Sequence, residues 1–197
     1  MMTATHPESE TQTMPQRYKT IVIDPPWPGP SAVPTFDVNR KGKSGRCVIP
    51  YTTMTGVNIA ALRIRDLAAP DSCLWIWATS RSIGDAMLLM ELWGFTYRGL
   101  FVWMKPLGMG RHMRHQVEFL LWAGRPGARL VEPRKCPRQV HEWPRPKRHS
   151  EKPAEAYAMI ADLCDGPRID IFARQHRPGF EAWGNEAPVA GLPGEGA

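Results

Sequence analysis

The chain has 197 residues, 43% hydrophobic and 22% charged, with eight Trp, 17 Gly, 20 Pro and a net charge of +6. That length suits one domain with a sizeable core, and the composition excludes a wholly disordered or low-complexity chain. No apolar run approaches the ~18 residues of a membrane span, and the opening MMTATHPESETQTMPQR carries no apolar signal core, so the expectation is a cytoplasmic protein with no membrane partner. Cys47, Cys73, Cys136 and Cys164 are scattered without a CxxC pair, which fits reduced thiols better than a disulfide framework or a zinc site.

In chain order, residues 1–17 read as a polar, disordered tail, residues 18–187 as the folded domain, and residues 188–197 (PVAGLPGEGA) as a Pro/Gly tail. Thr20–Asp24 (TIVID) is β-branched and ends at a Pro-Pro pair, the pattern of a buried strand with a sharp stop. Asn58–Leu67 has helical spacing and Ser72–Ala78 (SCLWIWA) reads as a strand. Ser82 is placed to cap a helix through Trp93 that closes at Gly94. Tyr97–Met104 and Val117–Trp122 are strand candidates, the second also compatible with a helix. Pro153–Cys164 starts with Pro at a first-turn position and carries apolar residues at helical intervals. Arg168–Phe172 (RIDIF) is the last strong strand. Strands alternating with helices predict an α/β fold, a mainly parallel sheet covered by helices on both faces. In such sheets ligands sit at the carboxyl ends of strands, which singles out the turns after Asp24 and Phe172.

The positive charge is local. From Arg125 to Lys152 there are nine Lys or Arg against three Glu, which accounts for the whole net charge. A Pro-broken basic stretch of this kind attracts a phosphate backbone, although a solvated surface loop has the same composition. His112 and His115 lie three apart without a third ligand of matching spacing, so solvated surface explains them better than a metal, and no metal site is assigned.

Asp24-Pro25-Pro26-Trp27 is the segment with chemistry in it. Two prolines fix the backbone and remove two N–H donors, leaving a rigid turn that presents carbonyls outward. A carboxylate beside such a carbonyl makes a pair of acceptors for an –NH2 group, and Trp27 supplies a face on which a base can stack.

This turn resembles the DPPW motif of amino-group methyltransferases acting on adenine. Further segments resemble one branch of them, the adenosine methyltransferase family named for the seventy-kilodalton subunit of the mRNA enzyme, in its compact bacterial and phage form. They are Pro50–Met54, Leu74–Thr79, Trp93–Phe95, Trp103–Lys105, His149–Pro153, and the stretch from Ile171–Arg174 through Gly179–Glu186, all in the family's order over about Tyr18 to Glu186. No residue here is assigned to the acidic segment that the mRNA enzyme carries well before its motif.

The resemblance implies a Rossmann-like methyltransferase fold, S-adenosylmethionine as methyl donor and the exocyclic amine of adenine as acceptor. It implies catalytic roles for Asp24, Pro25, Pro26 and Trp27. Lys152 would pair with the donor's carboxylate, Asn185 and Glu186 would meet its ribose or adenosine end, and Asp24, Asp170, Arg174 and His176 would complete that pocket. Tyr51 and Glu118 match positions near the target adenosine. The bland alternatives are a solvated Lys152, a strand-end Asp170, and a Glu118 that merely pairs with Arg111 or Arg114. Two basic loops, Pro28–Pro50 with Arg40 and Lys43, and Gly124–Arg148 with Arg145, Lys147 and Arg148, read as lips that engage phosphates.

The leading expectation is therefore methylation of adenine in nucleic acid, DNA or RNA, with the target unstacked or single-stranded. The alternatives are a catalytically silent nucleic-acid-binding subunit and a methyltransferase for a protein or small molecule. A homodimer or a partner subunit is compatible with the resemblance.

Overall fold

The β-branched run around Ile21 forms an interior strand of the sheet as β1 (Tyr18–Ile23) in a computed structural model that describes residues 17–28, 54–106, 114–130, 136–146, 148 and 150–184. The other strands are β2 (Ala68–Ala78), β3 (Thr96–Met104), β4 (Val117–Gly124), β5 (Val140–His141), β6 (Arg168–Ile171) and β7 (Glu181–Trp183). Their order across the sheet is β5-β3-β4-β2-β1-β6-β7. β1 is parallel to β2 and β6, β6 to β7, and β3 to β5, whereas β4 is antiparallel to both of its neighbours. Six strands thus point one way and β4 alone is reversed. No helix separates β3 from β4 among the described residues, and parallel neighbours need a long crossover whereas a return strand does not.

Alternation along the strands builds two cores. Ile21, Ile23, Leu74, Ile76, Leu121, Ala123, Ile169 and Ile171 face the helices α1 (Gly56–Ala60), α2 (Ile64–Leu67) and α3 (Ile83–Leu92). Val22, Cys73, Trp75, Trp77 and Leu120 face α4 (Ala154–Leu163), which contributes Ala156, Tyr157, Ile160 and Leu163. With both faces covered, the central strands read as near-continuous apolar runs. Each large side chain buried this way contributes about 1.5–3 kcal/mol. No helix among the described residues is long and apolar enough to cross a membrane.

Several local expectations are corrected. The helical pattern over Asn58–Leu67 is two short helices, the first capped by Thr55, whose hydroxyl accepts from the Asn58 N–H at 3.2 Å. Ser82 holds the N-cap position of α3, yet its hydroxyl accepts from the Thr79 N–H at 3.0 Å and leaves the helix uncapped. Pro153 is the residue before α4, with ψ at 138°, and not part of its first turn. Val117–Trp122 is a strand, as first expected. Gly94 closes α3 as expected, at φ +80°. β5 and β7, both shorter than four residues, carry no period long enough to read from sequence.

The reversal of β4 adds a strand start to an edge otherwise made of strand ends. Asp24, Thr79, Lys105 and Phe172 leave β1, β2, β3 and β6 at that edge of the sheet, and β4 begins there, which brings Glu118 beside them.

Candidate active site

The turn after β1 is held from three sides. Asp24 N–H donates to the Ile171 carbonyl of β6 at 3.3 Å, Trp27 N–H donates to the Pro25 carbonyl at 2.7 Å, and Met54 N–H donates to the Pro26 carbonyl at 3.0 Å. The two proline carbonyls are thus engaged within the protein, a correction to the outward-facing acceptors expected. The Pro25 oxygen keeps a second lone pair. The half-buried Trp27 indole donates from Nε1 to the Trp77 carbonyl at 2.9 Å, which fixes its plane against the end of β2.

Around this turn lies a chain of alternating charges. Lys152 Nζ is 3.0 Å from Asp24 Oδ1 and 3.2 Å from Glu118 Oε2, and Lys105 pairs with the other Glu118 oxygen. Lys152 Nζ also lies 5.5 Å from the centre of the buried Trp77 ring, and Lys105 Nζ 5.1 Å from that of Trp103. The Asp24, Glu118 and Lys152 side chains are 14%, 16% and 9% exposed, low enough that the charges depend on one another and not on water.

The protonation states follow from that dependence. Burial pushes the Asp24 carboxyl above its ordinary range; Lys152 opposes the shift, Glu118 adds to it and Arg174 opposes it. Burial also acts on Glu118, but Lys152 and Lys105 outweigh it and hold this carboxyl at about 2. Lys152 loses solvation, yet Asp24 and Glu118 raise it well above an ordinary lysine. It is therefore a fixed cation in the neutral range, beside a carboxylate whose charge depends on it.

A cleft open to solvent adjoins this chain. Trp103, Lys105, Glu118, Arg145, Arg148 and Glu151 are among its walls. Glu118 thus pairs with Lys152 beside Asp24 and, with Arg145 and Arg148, borders the cleft. Arg174 and the exposed His176 lie on the connection from β6 to β7. That connection leaves β6 through Phe172 at φ +63° and returns against Gly184, where an added Cβ would lie 2.5 Å from the Ala173 carbonyl oxygen. Asp170 lies within β6 on the face of α4, 3% exposed, and its Oδ1 accepts from the Tyr157 hydroxyl at 3.1 Å. Burial pushes its carboxyl up to about 7 against the pull of Arg177. Tyr51, Arg40, Lys43, Lys147, Asn185 and Glu186 fall outside the described residues.

Lys105 and Arg177 carry no assignment from sequence. Lys105 follows a strand at the ligand-bearing edge, and that position is the one signal it offers. Arg177 has none, because its partners come from α4, β6 and the segment before α4.

A match to the MT-A70 family spans residues 18–186. The chain belongs to the MT-A70 family. It is 29% identical over 190 residues to a type II methyltransferase, M.MunI, of Mycoplasma sp, across 88% of this chain and 79% of that protein. It is 30% identical over 188 residues to the N6-methyladenosine RNA methyltransferase MTA1 of Pyricularia oryzae, across 86% of this chain and 46% of that protein. Identity to the N(6)-adenosine-methyltransferase catalytic subunit METTL3 of Homo sapiens is 25% over 188 residues, across 86% of this chain and 28% of that protein. The chain spans most of the first relative and less than half of the other two.

Proposed function

We propose that this MT-A70 protein transfers a methyl group from S-adenosylmethionine to the exocyclic amine of adenine in nucleic acid, DNA or RNA. The observation that carries the reading is the Asp24 carboxylate. It stands on a rigid turn at the ligand-bearing edge of the sheet, 3.0 Å from a buried ammonium and one ion pair away from a cleft walled by Arg145 and Arg148.

An adenine amine is a poor nucleophile because its lone pair is delocalised into the ring. Asp24 and the free lone pair of the Pro25 carbonyl would accept its two hydrogens and turn the nitrogen toward tetrahedral geometry. Positive charge grows on that nitrogen as the bond forms, so an ionised Asp24 acts most strongly in the transition state. Lys152 keeps it ionised. Trp27, its indole pinned to β2, would hold the base by stacking. Arg145 and Arg148, with Arg40, Lys43 and Lys147, would bind phosphates, and Tyr51 and Glu118 would border the target adenosine.

The donor set fits the cofactor. A methionine carboxylate calls for cations, which Lys152 and Arg174 supply, and a sulfonium calls for an anion, which Asp24 supplies. When bound, S-adenosylmethionine supplies an electrophilic methyl group. His176, Asn185 and Glu186 would hold its remaining parts, and a second copy or a partner chain would complete the assembly, as the name of one relative, a catalytic subunit, suggests.

The test is transfer from isotopically labelled S-adenosylmethionine to single-stranded DNA, duplex DNA and RNA, with products identified by mass spectrometry and Asp24→Ala as control. Methyladenine in at least one polymer, lost in the control, is the expected result. Cofactor binding with no product in any polymer would overturn the reading in favour of a silent subunit or another acceptor.

A further inference from the structure

Lys152 can bracket Asp24 and Glu118 only if its main chain is held. Two residues before it, Ser150 has φ +61°, uncommon for a residue with a side chain. Directly after it, Pro153 precedes α4 with its φ fixed. Between these two points, the Lys152 carbonyl accepts from Arg177 Nη2 at 2.9 Å. One residue earlier, Glu151 accepts from Gln175 Nε2 at 2.8 Å. The connection from β6 to β7 is therefore bonded to the segment before α4 at two successive residues.

Arg177 is itself held by buried groups. Its side chain is 9% exposed and its Nε lies 3.9 Å from Asp170 Oδ2, without a hydrogen-bond partner among the described residues. Its guanidinium carbon sits 3.8 Å from the centre of the Tyr157 ring. Tyr157 in turn donates to Asp170. A guanidinium this buried needs a counter-ion and a ring face to remain charged, and here it spends one fork on the Lys152 carbonyl.

We propose that Asp170, Tyr157 and Arg177 form a positioning cluster that fixes the Lys152 main chain, and through it the ammonium between Asp24 and Glu118. The cluster couples the connection that carries Arg174 and His176 to the carboxylates on the acceptor side. Arg177 is a positioning residue: its path to the chemistry runs through Lys152. Its effect on turnover rests on the function proposed above, but its effect on Lys152 does not.

Two measurements on the full chain test this, with Arg177→Met and the milder Arg177→Lys, which keeps a cation over Tyr157 but not the forked reach to the Lys152 carbonyl. The first is trace acetylation with acetic anhydride, read by mass spectrometry, with Lys19 as internal reference. Lys152 is expected to label several-fold faster in both variants than in the wild type, relative to Lys19. Unchanged labelling of Lys152 in folded Arg177→Lys would overturn the proposal.

The second is kcat and KM for methyl transfer against pH. The groups facing Asp24 are Lys152 from the segment before α4, Glu118 from β4 and Arg174 from the β6–β7 connection, and Asp24 in turn acts on Asp170 of β6 and Tyr157 of α4. A displaced Lys152 stabilises the Asp24 charge less, so the acid limb of kcat/KM is expected to rise by about one pH unit. The accompanying fall in kcat is about tenfold to a hundredfold, with KM for nucleic acid unchanged. Asp170→Asn removes the counter-ion of Arg177 and is expected to speed the labelling of Lys152 as well. A fall in active fraction with the limb unmoved would mean that Arg177 is merely structural. A wild type that methylates nothing would overturn the proposed function, while the labelling would still decide the cluster.

Discussion

The two edges of the sheet use the same residue types to opposite ends. At the amino edge, Lys19 at the start of β1 pairs with Asp71 of β2 at 3.3 Å, and both side chains are more than 40% exposed. At the carboxyl edge Lys152 pairs with Asp24 at 3.0 Å, and both are at most 14% exposed. Two arginines of the amino edge act as staples. Arg125 donates to the carbonyls of Ala68 at 2.9 Å and Arg65 at 2.8 Å, and Arg168 to those of Ala161 at 2.8 Å and Cys164 at 2.6 Å. They satisfy backbone acceptors where strands and helices end. At the carboxyl edge Lys105 and Lys152 meet carboxylates. An ion pair therefore says little about function until its burial is known. An exposed pair is worth about 0–1 kcal/mol, whereas removing one partner of a buried pair costs about 3–5 kcal/mol.

The largest effect belongs to Asp24. Asp24→Asn keeps the size of the side chain and removes its charge, leaving Lys152 still paired with Glu118. Methyl transfer is expected to fall by about 10²–10⁴-fold, with circular dichroism unchanged. Activity within a few-fold of wild type would show that the carboxylate is not the acceptor of the amine hydrogens.

Lys152 sharpens the comparison directly. Lys152→Met leaves Asp24 and Glu118 facing each other without the cation between them, and the loss of stability at pH 7 is expected to approach about 3–5 kcal/mol. Lys19→Met, made at the other edge, is expected to cost at most about 1 kcal/mol. Urea unfolding of the two variants checks the ranking, and similar midpoints would erase the distinction between the edges. Calorimetry on Lys152→Met is expected to show weakened S-adenosylmethionine binding as well.

Asp170 gives the contrast a pH signature. Its carboxyl rises from 3.8 to about 7 in the fold because burial disfavours its charge. The folded state thus holds this proton more tightly than the unfolded chain, and the resulting stabilisation is complete below pH 3.8 and lost as pH climbs through 7. Glu118, held at about 2 chiefly by Lys152 and Lys105 against its burial, contributes with the opposite sign: its stabilisation is present above pH 4.5 and lost as pH falls through about 2. In Asp170→Asn, the Tm difference from wild type is expected to move in the variant's favour between pH 4 and 7. A difference that stays flat across that window would place the Asp170 carboxyl in a more solvated setting than the fold indicates.

How much of the fold and the site is legible in the sequence depends on how local each signal is. TIVID before Pro25 marks a buried strand because β-branching and the proline stop act within six residues, and Gly94 marks the end of α3 because only a positive φ is needed there. The reversal of β4 is not legible: Val117–Trp122 has the same composition in either direction, and direction decides whether Glu118 reaches Asp24 or the far edge. Lys105 and Arg177 escape a sequence reading for a related reason. The partners of Lys105 come from β4 and β3, those of Arg177 from α4, β6 and residue 152, and no spacing in the chain encodes their meeting. Asp170 reads in sequence as an acid within the apolar strand RIDIF, but the tyrosine and the arginine that make it tolerable there come from other elements and leave no mark in the spacing.

The smallest effect tests whether the basic wall of the cleft differs from basic surface elsewhere. Arg145 and Arg148 line the cleft beside Glu118, whereas the exposed Arg129 lines a hollow at the amino edge with Lys19 and Asp71. Counterion release makes the slope of log K against log salt count the phosphates neutralised, at about 0.9 per contact. If both arginines hold phosphates, Arg145→Gln with Arg148→Gln should flatten that slope by about two, weakening binding evenly across sequences. Arg129→Gln should leave it unchanged. Equal slopes for the two variants would mean that the edges share one diffuse field, and the cleft would lose its claim to be where the nucleic acid enters.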